Sequence, residues 1–408
     1  MARLIVLFVT AFVDMVGLTM VLPLLPYYAT SFGASAVTVG LLVSAFSLAQ
    51  LACAPAWGRF SDRYGRRPAI IAGLVLTAVA YMLFAVADSI WLLLVSRVVQ
   101  GIGGGTIGVV QAYVADMSTP EERTKSLGWL TAITSLGAVI GPAFGSVMIS
   151  VGGRSAPGWA AGGISALVAV FAWRYLTETA PETSTAGLRS TLAYSGWSAA
   201  AAVVRRWREP APRLIWIYAI AIGAFYGTVP TMPLLLAGRL AISEYTIGYV
   251  IMLLGGVGVI ARAFVLGPAV ARLGEERLSQ LGLLLLATGL ALFGAANGYP
   301  VLIASLTFMP LGTAFLFPCV SAQLTRVVSP RRRGLYLGIQ QAFAGVARVA
   351  FPIAAGITMD SVGLGVPFFV AAGLVLVALM AYRATAASVP RAVVDPARAT
   401  PTPSVTWS

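Results

Sequence analysis

Apolar residues run in long blocks along this chain, and short polar stretches separate them. A bilayer-crossing helix takes about 20 apolar residues. The blocks predict twelve such helices, at about 4–30, 37–58, 67–87, 90–115, 125–150, 157–177, 211–237, 245–268, 277–297, 299–324, 334–358 and 363–385. The polar stretches alternate in character. Those at 59–67, 121–125, 178–213, 272–277 and 326–333 are charged. Those near 30–36, 88, 152–156, 239–244, 297–300 and 360–363 carry few charges. Bacterial cytoplasmic loops collect Lys and Arg, so the first set and both termini are expected in the cytoplasm. The sharpest marker is 58–68, with four arginines and one aspartate in eleven residues. It reads as a tight turn, with Gly58 and Gly65 allowing the sharp backbone and Pro68 opening the next helix.

The longest polar connection divides the chain. The expected organisation is a six-helix bundle over 1–177, a cytoplasmic linker over 178–210 with room for a surface-lying amphipathic helix, a second six-helix bundle over 211–385, and a disordered cytoplasmic tail over 386–408. The halves repeat each other. Pro23 and Pro26 answer Pro230 and Pro233; Gly58 and Gly65 answer Gly267 and Gly274; Pro120, Arg123, Gly128 and Pro142 answer Pro330, Arg333, Gly338 and Pro352. The offset drifts slowly, as small loop insertions would make it. A six-span unit repeated in one orientation is the architecture of a transporter whose halves rock about a central gap.

Composition narrows the class. Of 408 residues, 59% are hydrophobic and 10% charged, against roughly 25% charged in soluble proteins. This is an all-α integral membrane protein without room for a large soluble domain. A net charge of +13 alone fits nucleic-acid binding. Most of the basic residues fall in the cytoplasmic stretches, however, so the charge reads as topology and as affinity for anionic lipid headgroups; no nucleic-acid partner is expected. There is no histidine, and Cys53 and Cys319 lack metal-ligand spacing. No metal, cofactor or nucleophile–base pair is expected, which argues against an enzyme. Arg3 and the apolar run after it mimic a signal peptide. The run continues past Asp14 to Pro26, too long for that, so it reads as the first span.

Four local patterns carry a resemblance. Gly58-x-x-x-Asp62-Arg63-x-Gly65-Arg66-Arg67 resembles the loop 2–3 signature of the major facilitator superfamily, with Phe60 where the family usually has Leu. Arg97-x-x-Gln100-Gly101 resembles its span-four motif. Gly137-x-x-x-Gly141-Pro142-x-x-Gly145 resembles its antiporter motif, with Ser146 in place of a further glycine. The stretch from Phe12 to Gly17, followed by Pro23-x-x-Pro26, is similar to the first span of twelve-span drug/proton antiporters, tetracycline exporters among them. The resemblance implies the major facilitator fold, two pseudo-symmetric bundles of six helices. It implies a cytoplasmic charge cluster of Asp62, Arg63, Arg66, Arg67 and Asp116 that pairs when the inner face is closed and parts when it opens. It also implies proton-coupled export, carried mainly by the span-five motif. The alternative is a proton symporter or uniporter importing a small metabolite. Physically, the glycines and proline of the span-five motif bend the helix and let a neighbour approach closely. Gly103-x-Gly105-x-x-Gly108 matches a dinucleotide fingerprint, but no strand precedes it; these glycines read as helix packing.

Asp14 is the only acid deep in any span, and burial disfavours its charged form. It is the candidate proton carrier. A cationic substrate, or a static bridge to an arginine, are the alternative uses. Arg97 inside a span costs about 2.5–3.5 kcal/mol on insertion scales, so it needs a partner or a wet surface; proton coupling or substrate binding is its expected role. Arg348 lies near mid-depth, and Arg262 close enough to the cytoplasmic end to snorkel. One acid and three bases in the membrane favour neutral, zwitterionic or anionic amphiphiles as substrates. Gln111, Phe225, Tyr226, Gln340, Gln341 and Arg348 are the candidate cavity lining. Tyr27, Tyr28 and Trp91 are placed at the outer interface. The expected partners are a small-molecule substrate, protons and membrane lipids, and the chain is expected to act as a monomer in the bacterial cytoplasmic membrane.

Overall fold

In hydrocarbon a backbone has no water to bond, so an apolar stretch of this length satisfies itself as a helix. The computed structural model describes residues 2–119, 121–178 and 200–386. Most of the expected linker and the tail beyond 386 therefore lie outside the described residues. Within them helices cover every apolar block, and there is no strand. Eleven stretches are long and apolar enough to cross a membrane. One of these, Ile247–Gly294, has 48 residues. At 1.5 Å per residue that is about 70 Å, over twice a hydrocarbon core. It holds two spans: at Gly274 the backbone leaves the helix, with φ 74° and ψ 164°. Gly258 and Gly289 then both lie against the Met309–Pro310 level of the following helix, so the chain between them has turned back.

The twelve spans run in chain order. Span one is Ala2–Val21 with Leu25–Ser31; two, Ala36–Tyr64; three, Arg66–Ala85; four, Ile90–Gly104 with Ile107–Asp116; five, Arg123–Gly152; six, Ala156–Tyr175. Span seven is Pro210–Thr228, Val229–Thr231 and Met232–Leu240; eight, Ile247–Ile260, Ala261–Val265 and 266–273; nine, 275–294; ten, Tyr299–Val327; eleven, Arg333–Ser361; twelve, Val366–Ala386. Proline at the first turn starts spans six, seven and ten, where its missing N–H costs nothing.

Span two runs on through Arg59 and Arg63 to Tyr64, and span three begins at Arg66. The expected loop over 58–68 is therefore two helix ends joined at one residue. Gly65, with φ 105°, makes the turn in a region that favours glycine; Gly58 is helical and has open space beside it. Gly274, the repeat partner of Gly65, makes the same turn. Spans one and seven also break at matching places, at Leu22–Leu24 and Val229–Thr231, around the repeated Pro-x-x-Pro.

A large core joins the two halves: Leu24 and Leu25 of span one lie in the same buried cluster as Leu235 and Leu236 of span seven. A second cluster, including Leu7, Ile70, Tyr113 and Ala172, draws on the first half alone. A third, Leu278, Phe315 and Cys319, draws on the second half alone.

Candidate functional site: the gap between the halves

Span two packs on span eleven, and span five on span eight. The contacts follow the repeat. A Cβ added to Gly40 would fall on the Pro352 carbonyl oxygen, and one added to Gly248 on that of Pro142. Ser44 donates to the Val349 carbonyl at 2.6 Å. These residues lie away from the basic stretches, towards what we call the far end. Nearer the basic end of the same four spans, Gly58, Gly128, Gly267 and Gly338 have nothing within 4 Å of an added Cβ. The halves are clasped at the far end and part towards the basic end, which leaves a gap entered from the basic side.

The far end carries a latch that the sequence did not disclose. Arg154 Nε, between spans five and six, pairs with Glu244 Oε1, between spans seven and eight, at 2.9 Å. Glu244 is 7% exposed, and its carboxylate holds the Arg154 guanidinium above its ordinary range. Ser146 accepts from the Gly248 N–H at 3.0 Å, so the departure from the span-five glycine pattern supplies a bond between the halves. Asp360 of span eleven accepts from the N–H groups of Ala36 and Val37 at 3.0 and 2.9 Å. That caps the start of span two from the opposite half. The Tyr27 hydroxyl donates to the Ile242 carbonyl at 2.8 Å, and that of Tyr28 to the Arg154 carbonyl. These tyrosines serve the latch, whereas Trp91 is 76% exposed, as an interfacial aromatic is expected to be. The only sequence signal for the latch was an acid in each of two otherwise charge-poor loops.

Asp14 stands in the first-half wall, half-buried, with no hydrogen bond or ion pair among the described residues. The Tyr81 ring of span three lies on Gly17, one turn along, 3.1 Å from an added Cβ. Tyr81 is within Coulombic reach of both Asp14 and Arg97, so the two residues expected to couple protons meet at one tyrosine. Arg97 is 1% exposed, with its guanidinium over the Phe84 ring at 5.2 Å. Its Nε and Nη2 are buried without a hydrogen-bond partner among the described residues, and the Tyr81 hydroxyl and Gln100 amide beside it, near enough to interact with each other, make no well-formed bond. Each such group costs about 1–3 kcal/mol, so a cluster of them marks a place where water or a passing ligand supplies the bonds. The span-five motif holds this wall in register. Gly137 lies on the Phe12 carbonyl at 2.8 Å and Met15 at 3.2 Å, Gly141 on the Val16 carbonyl at 2.7 Å, and Gly145 on the Met20 carbonyl at 2.5 Å, all for an added Cβ. Span five is helical throughout, Pro142 included, and close approach is what these residues visibly provide. Gly103 and Gly105 likewise lie against spans three and two, as does Gly101 against span two, whereas Gly108, expected to pack in the same way, has open space beside it.

The second-half wall carries Arg348, whose guanidinium lies 6.0 Å from the Tyr226 ring centre. Phe225 sits edge-on to Tyr226 at 5.2 Å. Gln341 is exposed and donates to the Tyr218 hydroxyl at 3.3 Å. Gln340 departs from expectation: it is fully buried, bonded to Ser321 of span ten at 3.1 Å, and does not face the gap. Gln111 is exposed on the last segment of span four, near the basic end.

At the basic end Arg66 bridges Asp62 at 2.9 Å and Asp116 at 3.1 Å. The pairs are formed while the halves stand apart, so the expectation that they break on opening does not hold in this conformation. All three residues belong to the first half, and separating the halves does not pull on them. Arg63 lies over the Tyr64 ring, and Arg67 donates to the Trp173 carbonyl; neither joins the acids. Glu178, which the sequence reading left out, accepts from the Arg66 N–H at 2.7 Å and caps span three. The second half repeats the bridge with the signs exchanged: Glu275 and Arg326, at the positions of Arg66 and Asp116, pair at 2.7 Å.

Comparison with known proteins agrees with this geometry. Residues 7–278 and 214–408 match the Major Facilitator Superfamily. The chain is similar to the class C tetracycline resistance protein of Escherichia coli, 30% identical over 93% of this chain and 96% of that one. It is similar to multidrug resistance protein 2 of Bacillus subtilis, 27% identical over 92% and 93%. Among solved structures it resembles the human organic anion transporter MFSD10, with a TM-score of 0.66 and 25% identity over 93% of this chain and 98% of that one.

Proposed function

The chain belongs to the Major Facilitator Superfamily, and from that footing we propose that it is a proton-coupled exporter of small amphiphilic molecules or drugs, working by alternating access. The drug-resistance names of its relatives support export. The alternation of charged and uncharged loops supports a basic end in the cytoplasm of a bacterial cell, with both termini there. The conformation described is then open to the cytoplasm and latched outside. Substrate enters the gap from the cytoplasm. The halves rock about the paired contacts of spans two and eleven and spans five and eight. The latch parts, and Asp14 takes a proton from outside as substrate leaves. Return to the inward-open form delivers that proton to the cytoplasm. One chain encloses the whole path, so the working unit is a monomer among lipids.

The observation that carries this reading is an acid without a partner among the described residues, in the wall of a gap, beside a buried arginine that is likewise unsatisfied among them. Inverted vesicles energised by respiration test it. Adding a transported drug should release protons from wild-type vesicles and accumulate drug inside them. Asp14→Asn should bind drug yet lose both effects. Unchanged proton-driven uptake by Asp14→Asn would remove Asp14 as the carrier, and drug leaving the vesicles with protons would reverse the direction.

A further inference from the structure

We infer that the second-half wall holds an anion subsite: Arg262 and Arg348 receive the carboxylate of an aromatic amphiphile whose apolar body lies on Tyr226. The inference rests on the reading of the gap as a substrate path and adds the chemistry of its cargo.

Two cations here lack an acid among the described residues. Among the described residues Arg348 makes one hydrogen bond, from Nε to the Ala344 carbonyl of its own helix at 3.4 Å, which is long for such a bond. Arg262 makes no ion pair or hydrogen bond among them. A guanidinium kept within a span without an acid is a costly feature. Planar guanidinium groups match carboxylates in two-pronged fashion.

Their placement is that of a site. Arg262 is exposed and Arg348 half-buried, so both are open to an incoming group. Arg262 does not reach for the basic end as a snorkelling side chain would: its Nη2 lies 4.0 Å from a Cβ added at Gly258, one turn towards mid-depth. It sits in a five-residue π-helical turn, Ala261–Val265, inside span eight. Such turns insert a residue, re-aim the side chains there and cluster at functional positions. Tyr218 of span seven lies within Coulombic reach of Arg262, Arg348 and Tyr226. Three spans thus converge on one tyrosine, which also takes the Gln341 bond. Tyr226 is 46% exposed beneath Arg348 and offers an aromatic face next to the cation.

Charge also differs between the walls. The first-half wall carries one charge of each sign, Asp14 and the fully buried Arg97, and the second-half wall carries Arg262 and Arg348 with no acid at this depth. A carboxylate in the gap is drawn to the second half, while a proton is drawn to Asp14. Substrate anion and proton therefore have separate seats.

Purified protein in lipid nanodiscs, with no gradient, tests the subsite by fluorescence titration with dansylglycine and its neutral amide, dansylglycinamide. Wild type should bind the acid about tenfold more tightly than the amide, the size of one charge-assisted bond. Arg348→Gln and Arg262→Gln should each lower affinity for the acid towards that for the amide and leave the amide unchanged, which also reports an intact fold. Arg348→Lys should keep part of the preference. Equal affinity for acid and amide in wild type, or equal loss of both in the glutamine variants, overturns the subsite. Failure of the exporter reading looks different: the acid preference and its loss in Arg348→Gln remain, while vesicles move no drug against a proton gradient.

Discussion

Arg66 holds two acids at once, and its geometry depends on Gly65. Asp62 ends one helix and Arg66 begins the next, so a helical i,i+4 rule does not apply across the break; the left-handed turn at Gly65 swings Arg66 back onto Asp62. Arg63, Arg66 and Arg67 were equal candidates in the sequence, and this turn is what selects among them. The second half supplies a natural control. Glu275 and Arg326 reverse the bridge, and Ala271 stands where Asp62 stands in the first half. Arg66→Glu alone should lower thermal stability by about 1–2 kcal/mol, the scale of two partly exposed charged bonds. Arg66→Glu with Asp116→Arg should recover little, because Asp62 then faces Glu. Adding Asp62→Ala should recover most of the loss. Thermal unfolding of the four proteins in one detergent checks this; full recovery in the double variant would show that Asp62 is no part of the cluster. The wall residues were less legible. Asp14 and Arg97 stood out because charge in an apolar span is costly, whereas Gln340 and Gln341, adjacent in sequence, point into core and gap respectively, and composition has no sign for that.

At the scale of helices, hydropathy located all twelve spans, and the repeat was visible in its prolines and glycines. Helix ends were misjudged where charged residues continue a helix beyond the hydrocarbon, as span two does from Arg59 to Tyr64. The repeat also paired Pro142 with Pro352, but a linear pattern does not tell that each carbonyl receives a glycine of the opposite half. That contact leads to a direct expectation. Gly248→Ala should force spans five and eight apart at the far end, since the new methyl falls on the Pro142 carbonyl. Gly256→Ala, whose nearest neighbour is 3.9 Å away, should not. Spin labels on Ser31 and Val362 would report a longer distance population in the first variant and a wild-type one in the second; matching distributions would mean the contact does not set the closure. The latch should act in the same sense. Asp360→Asn weakens the cap on span two, and a cap is worth about 1 kcal/mol, or roughly fivefold in the ratio of closed to open far ends. The same label pair reads that shift, and an unchanged ratio would remove Asp360 from the latch.

For the whole molecule, the two halves share one large core, which runs on to Val328 and Tyr382 near the basic end of the second half, while two smaller clusters belong to one half each. The superfamily and its pseudo-symmetry were legible from motifs that sit at turns and close approaches, where few residue types fit. The conformation was not, because under the proposed cycle one sequence would serve both of its ends. The central claim is that one gap opens alternately at its two ends, and paired distance measurements test it most directly. Labels on Ser31 and Val362 would follow the far end, and labels on Arg59 and Gly338 the basic end, in the same nanodisc preparation with and without bound drug and across pH. The account predicts opposite changes: wherever the far-end distance lengthens, the basic-end distance shortens. Both distances lengthening together, or neither responding to drug or proton, would contradict it.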